Sequence, residues 1–244
     1  MDIGQALRFV FEDEEWVKKL LLGTAILLIP VFGGLVLMGY CVAVLRNIRA
    51  GSERPLPEWT GLGGFFMDGL RLWVSVIVYM IPAWILLCPV SGVWLLPLLG
   101  GDREDVMLTL TAVAGILSVG LGCILVLYML LVSLVVPAVY IRYAETGQIG
   151  ACLRFGEVFR FTFANLGRVI VAQLMIWALG LVIGLVVSGI SAVLGVIPIC
   201  GWLLMVPVAL LALPVSVWLG AFMVHLYAQI AAAAQQVETA VQYP

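Results

Sequence analysis

Residues 148–163 read QIGACLRFGEVFRFTF and lie between two long apolar runs. Ile149, Cys152, Leu153, Phe159 and Phe163 recur at helical spacing, with Gly156 among them, while Arg154, Glu157 and Arg160 occupy the remaining turns. A helix of this pattern suits the plane of a membrane surface, apolar face down and arginines toward the headgroups. A chain that surfaces here is expected to cross the bilayer on both sides of the stretch. The opening letters also recur at the start: Ile3-Gly4-x-x-Leu7-Arg8-Phe9 matches Ile149-Gly150-x-x-Leu153-Arg154-Phe155.

Composition agrees with a membrane chain. Of 244 residues, 64% are hydrophobic and 11% charged, against about 25% charged in soluble domains. The mean hydropathy is +1.19, and the uncharged runs are long enough for spanning helices. The net charge of −2 is uninformative; the placement of charge is not. No Lys or Arg lies between Arg71 and Arg103, between Arg103 and Arg142, or after Arg168. Cys41, Cys88, Cys123, Cys152 and Cys200 sit apart in apolar surroundings, which favours small core residues over a disulfide framework or a zinc site. Glu12, Asp13, Glu14 and Glu15 precede the first apolar run, so insertion is expected to rely on that run rather than on a basic leader.

Taken in order, Asp2 and Gln5 offer a capping box for a surface helix over about 2–15, with Ile3, Ala6, Leu7 and Val10 as its stripe. Trp16, Lys18 and Lys19 mark an interface, the lysines snorkelling. The membrane segment 17–46 contains Pro30, Gly33, Gly34 and Gly39. It reads either as one kinked span or as two short helices folding back at Ile29–Gly34, each of about 20 Å against a hydrocarbon core of roughly 30 Å.

After Arg46, Arg49, Arg54 and the rigid Pro55-Leu56-Pro57, a second surface helix is expected over about 60–70, with Leu62, Phe65, Phe66, Gly69, Leu70 and Trp73 on one face. Membrane segments follow at about 71–99, broken or kinked near Cys88-Pro89, and at 106–140, with Trp84 and Trp94 at the far interface. The surface helix 148–163 comes next. The uncharged run Val169–Val224 divides at Gly195–Gly201 into segments 167–196 and 200–230. Residues 1–235 thus form one membrane domain. Residues 236–244 form a polar tail, with the chain leaving the membrane from about Ala231.

The expected fold is an all-α polytopic bundle built from three repeated units, each a surface helix plus a transmembrane hairpin. A second echo supports it: Ile29-Pro30-Val31-x-Gly33-x-Leu35 matches Ile197-Pro198-Ile199-x-Gly201-x-Leu203. Arg46, Arg49, Arg54, Arg71, Arg142, Arg154, Arg160 and Arg168 fall on one side of this topology, which the positive-inside rule makes cytoplasmic. Gly180, Gly184, Ser188 and Ala192, every fourth residue, form a small-residue stripe expected to pack inside the bundle.

Several pieces together resemble a known family. They are Trp16-Val17-Lys18-Lys19-Leu20-Leu21-Leu22-Gly23, Gly39-Tyr40, Arg46, Gly51 before Leu56-Pro57-Glu58-Trp59, Phe65-Phe66-x-Asp68-Gly69-Leu70, and Arg142-Tyr143-Ala144-Glu145. Over about residues 1–235 the chain is similar to the DUF4013 membrane proteins of bacteria and archaea. That resemblance implies a multi-pass protein of the bacterial or archaeal cytoplasmic membrane. It implies no activity and supplies no catalytic residue.

The residues themselves assign no catalytic, cofactor or metal site. His225 is the sole histidine, with no acid beside it in sequence, and reads as an interface residue. Glu12–Glu15, and Asp102 with Glu104 and Asp105, read as solvated acidic patches without the alternating ligands of a calcium loop. No phosphate-binding, nucleophile-elbow, zinc-protease or dinucleotide motif occurs. The spans hold almost no ionisable group; Gln173, Ser118, Ser133, Ser188, Ser191, Ser216, Thr109 and Thr111 read as hydrogen-bonding partners between helices. The expected function is therefore non-enzymatic: a membrane protein that organises or scaffolds membrane components, with the lipid bilayer and a membrane-protein partner, and no nucleic acid, as its contacts. The alternative is a transporter or channel for an uncharged or lipid-like solute, motivated by the proline-broken helices.

Overall fold

The computed structural model describes residues 1–101, 103–197 and 200–242. The described residues are almost entirely helical, with no strand among them. The helices are α1 (Ile3–Arg8), α2 (Trp16–Leu27), α3 (Phe32–Arg49), α4 (Leu62–Gly92), α5 (Glu104–Thr146), α6 (Ile149–Cys152), α7 (Phe155–Ala164), α8 (Leu166–Gly195) and α9 (Cys200–Gln242), with a 3₁₀ segment, Val93–Gly100, after α4. Among the described residues, five stretches are long and apolar enough to cross a membrane: Phe32–Arg49, Leu62–Leu99, Glu104–Thr146, Leu166–Gly195 and Gly201–Gln236.

The first apolar run folds back. The cavity wall formed by Glu12 and Asp13 before α2 also includes Ile48 and Gly51 at the end of α3. A Cβ on Gly33, at the start of α3, would collide with the Ile26 carbonyl near the end of α2. The two helices therefore run antiparallel. With 12 residues, α2 reaches only about 18 Å, too short to cross a core of roughly 30 Å. The corner is tight: the Phe32 amide donates to the Pro30 carbonyl at 2.7 Å, around Val31 at φ 65°, ψ −56°. That is a γ-turn of the strained hand.

The same corner chemistry recurs between α8 and α9. The Ile29 amide donates to Ile26 and the Gly33 amide to Ile29; at matching positions Ile197 donates to Leu194 and Gly201 to Ile197. A Cβ on Gly201 would meet the Leu194 carbonyl, seven residues back, as one on Gly33 would meet Ile26. Only glycine admits that approach. Pro198 and Ile199, inside this second corner, lie outside the described residues, as does Asp102.

The larger repeat is not seen. Residues 60–70 form no separate surface helix; residues 62–70 are the first turns of α4, which continues past Pro82 and Pro89 to Gly92. The expected helix over 2–15 is helical only at Ile3–Arg8, and Ala6, Phe9 and Val10 are buried in the core. The stretch 148–163 is also two pieces, because Leu153 and Arg154 leave helical geometry between α6 and α7. The echoed letters IGxxLRF thus fold unbroken to the arginine in one copy and broken before it in the other. The helix α9 continues through the expected tail as far as Gln242, and Ile230 and Ala231 are buried.

Packing is concentrated at one end. Tyr40, Leu45, Leu72, Val139, Tyr143, Val158, Phe222, Leu226 and Tyr227 belong to one buried cluster there. Toward the other end the helices present apolar side chains outward. From Leu174 to the end of α8 no residue is buried, and on α5 from Glu104 to Leu131 only Ala114 is. These apolar surfaces, including Ile116, Leu127, Leu181 and Leu211, suit a lipid surround. The α8 stripe faces outward with them: a Cβ on Gly180 or Gly184 would meet nothing within 4 Å. It does not serve packing within the chain, contrary to expectation. Cys88 and Cys123 are likewise exposed, whereas Cys41 and Cys152 are buried. The hydroxyls of Thr109, Thr111, Ser133 and Ser216 bond back to carbonyls of their own helices rather than across helices.

Candidate functional site at the ion-paired end

The loop after α3 is folded over the hairpin by its Leu56-Pro57-Glu58-Trp59 segment. Trp59 stacks on Tyr40, centroids 3.9 Å apart, and its indole N–H donates to the Lys19 carbonyl at 2.7 Å. The Lys19 ammonium donates to Asp13 and to the Leu56 carbonyl, each at 2.8 Å, with Glu58 at 3.7 Å. Lys19 and Asp13 are buried, at 5% and 6% exposure. The expected snorkelling lysine and solvated acid are instead a closed pair. An isolated charge there would be expensive to desolvate, which is why the partner and the carbonyl are both present.

A second knot joins α3, α4 and α5. Gly39 and Gly69 let α3 and α4 touch backbone to backbone: an added Cβ would strike the Phe65 carbonyl in one case and the Leu35 carbonyl in the other. Beside that crossing, Arg46 donates to Asp68 at 2.7 Å and to the Ala144 carbonyl at 3.1 Å. Tyr143 donates its hydroxyl to the other Asp68 oxygen at 2.9 Å. Arg49 pairs with Glu145 at 3.0 Å. The sequence pieces quoted above as separate motifs thus meet in space.

A third set ties α6 to the bundle. Tyr79 donates to the Cys152 carbonyl and Tyr128 to the Tyr79 carbonyl, both at 2.7 Å. Burial pushes the Cys152 thiol upward, against smaller opposing effects of Ser75 and Arg142. A thiol held protonated is a poor nucleophile. Arg142 reaches toward Glu157 of α7 at 3.7 Å.

The fourth set joins the two chain ends. Asp2 caps α1 by accepting from the Gln5 amide at 2.8 Å. The return bond of a capping box is replaced: the Asp2 amide donates to Gln229 at 2.7 Å. His225 is buried, at 6% exposure, with Phe9 against its ring at 4.6 Å. Glu12, Asp13 and Glu53 share a cavity of about 250 Å³ with it. The acids missing beside His225 in sequence arrive from the N-terminal segment and from the loop after α3. The interface reading of His225 is therefore corrected to a buried, partnered one.

Among the described residues, no group of three or more His, Cys, Asp or Glu side chains is arranged to hold a metal ion. What this end does visibly is clamp helices together through ion pairs, aromatic stacks and backbone crossings.

A helical chain whose described residues include five helices long and apolar enough to cross a membrane belongs to the class of membrane proteins. More narrowly, the family model described as "Protein of unknown function (DUF4013)" matches residues 22–192, and the chain belongs to that family. The match covers α3 through most of α8 and leaves out α1 and α9. No curated protein and no solved structure matches the chain.

Proposed function

We propose that this chain is a non-enzymatic membrane organiser whose α6–α7 segment gathers anionic lipid at the cytoplasmic face of a bacterial or archaeal cell membrane. The observation that carries the reading is the division of α7 into three faces. Val158 and Thr162 are buried against the bundle. Phe155, Phe159 and Phe163 follow at steps of four, Phe155 and Phe163 being 46% and 59% exposed. Arg160 lies further round the helix and is exposed, with Arg154 and Arg168 exposed at either end. Exposed rings beside exposed arginines fit the boundary between acyl chains and phosphates.

The side assignment rests on charge: every Lys and Arg except Arg103 lies at or near the ion-paired end. Labelling of Glu53→Cys and Asp105→Cys tests it; the first is expected to react from the cytoplasmic side and the second from the other. For the lipid role, the full chain is reconstituted with a mixture of zwitterionic and anionic phospholipid, and the retained lipid is measured. The expected result is enrichment of anionic lipid that falls in Arg154→Gln/Arg160→Gln/Arg168→Gln. Equal lipid composition around both proteins overturns the reading. Flux of an uncharged or lipid-like solute through sealed vesicles would replace it with the transporter alternative.

A further inference from the structure

The contact between α1 and α9 has a feature that the membrane-organising role does not use. The Gln229 amide is oriented by backbone on both sides. Its oxygen accepts from the Asp2 N–H at 2.7 Å, and its nitrogen donates to the Asp2 carbonyl at 2.8 Å. Neither bond survives an exchange of the two amide atoms, because a backbone N–H only donates and a carbonyl only accepts. The same amide nitrogen lies 3.1 Å from His225 Nδ1. An amide nitrogen has no acceptor capacity, so Nδ1 must be the bare, accepting nitrogen and the ring must be neutral with its proton on Nε2.

The geometry points to a proton-operated latch: His225 holds α1 on α9 through Gln229 while neutral, and protonation at Nδ1 releases it. A proton on Nδ1 would face the Gln229 NH₂ group, donor against donor. Turning the amide would satisfy the imidazolium but set its nitrogen against the Asp2 N–H and its oxygen against the Asp2 carbonyl. One set of bonds must be lost. Protons have access, because the cavity lined by Gln5, Phe9, Glu12, Glu53 and His225 opens to the surface.

The titratable groups facing the ring are Asp2, Glu12 and Asp13 from the N-terminal segment and Glu53 from the α3–α4 loop. Asp13 is occupied by Lys19. The carboxylates of Glu12 and Glu53, exposed on the same cavity, offer an imidazolium an ion-pairing partner away from Gln229. Release would expose Ala6, Phe9 and Val10, now buried.

The test is hydrogen exchange of residues 2–12 in the full chain, held in lipid nanodiscs, from neutral pH to well below the ordinary histidine value of about 6.5, because the bond from Gln229 to Nδ1 favours the neutral ring and puts release on the acid side of that value. After correction for intrinsic exchange, the segment should exchange roughly tenfold faster on the acid side, in proportion to the bonds lost. In His225→Leu that dependence should vanish. Gln229→Glu should reverse it. A carboxylate still accepts from the Asp2 N–H, repels neutral Nδ1, and gains an ion pair when the ring protonates, so acid should slow exchange. A wild-type segment indifferent to pH overturns the latch. So does retention of the wild-type dependence in His225→Leu, or the wild-type direction in Gln229→Glu. If His225→Leu does not fold, the direction in Gln229→Glu decides alone.

Discussion

Tyr40 of α3 and Trp59 of the following loop lie face to face, with centroids 3.9 Å apart and planes 7° from parallel. Trp59 also donates to the Lys19 carbonyl, so one side chain binds the loop to both arms of the α2–α3 hairpin. Trp59→Phe should keep most of the stacking and lose the hydrogen bond, at a cost of about 1 kcal/mol. Trp59→Ala should lose both and leave a void, at about 2–4 kcal/mol. Thermal unfolding in detergent reads the order. Equal effects would mean that the ring contact contributes nothing beyond the bond.

The buried Lys19–Asp13 pair makes a different prediction. Lys19→Met alone strands a buried carboxylate and should cost about 3–5 kcal/mol. Lys19→Met with Asp13→Leu removes both charges and should be markedly less destabilising than the sum of the single changes. A double-mutant cycle on unfolding free energy checks this. Additive effects would show that the two charges do not interact.

Glycines give a paired contrast. Gly39→Ala and Gly69→Ala place a methyl group against the backbone of the facing helix, so α3 and α4 must separate. Each should cost a few kcal/mol and loosen the Arg46–Asp68 bond beside them. Gly184→Leu enters open space and should leave the melting of the single chain unchanged. A strong effect at Gly184 would reveal a second chain against that face.

Val31 carries the strain of the first corner. A β-branched residue at φ 65° is disfavoured, and its side chain is 80% exposed, so little packing is at stake. Val31→Gly should raise stability by about 1 kcal/mol. A lower melting temperature would mean that the flexibility gained by the unfolded chain outweighs the strain relieved.

The sequence made some of this legible for identifiable reasons. Long uncharged runs located the crossing helices, because hydropathy is a property of each segment alone. Pro30 with Gly33 leaves two readings of the first run, and the placement of Glu12 and Asp13 near Ile48 and Gly51, with Gly33 against the Ile26 carbonyl, chooses the hairpin. The pattern at 60–70 reads as a surface helix, because an amphipathic face looks the same whether it meets headgroups or the next helix. Leu62, Phe65 and Gly69 belong to the packed opening of α4. The site was hidden for another reason: Asp2 and Gln229, or Arg46 and Ala144, are far apart in sequence, and no local pattern announces a partner. What the sequence did offer was a set of motif fragments, Arg46, Leu56-Pro57-Glu58-Trp59, Asp68-Gly69-Leu70 and Arg142-Tyr143-Ala144-Glu145. They were interpretable only once they were seen to meet.

The three faces of α7 should answer differently to the same kind of change. Val158 is fully buried against the bundle, so Val158→Asp forces a charge into the core or lifts the helix off. It should cost several kcal/mol in any medium, detergent included. Phe163 is exposed and touches Phe159 within its own helix. Phe163→Asp should leave detergent melting nearly unchanged but weaken seating in a bilayer, where the ring would otherwise be submerged. Arg160→Ala removes one phosphate contact worth about 1 kcal/mol in anionic lipid and less in salt. Hydrogen exchange of residues 155–164 in nanodiscs should therefore rise strongly for Val158→Asp, rise only in bilayers for Phe163→Asp, and change slightly and with salt for Arg160→Ala. If Phe163→Asp is silent in the bilayer as well as in detergent, α7 stands clear of the membrane, and the lipid-gathering role assigned to it fails.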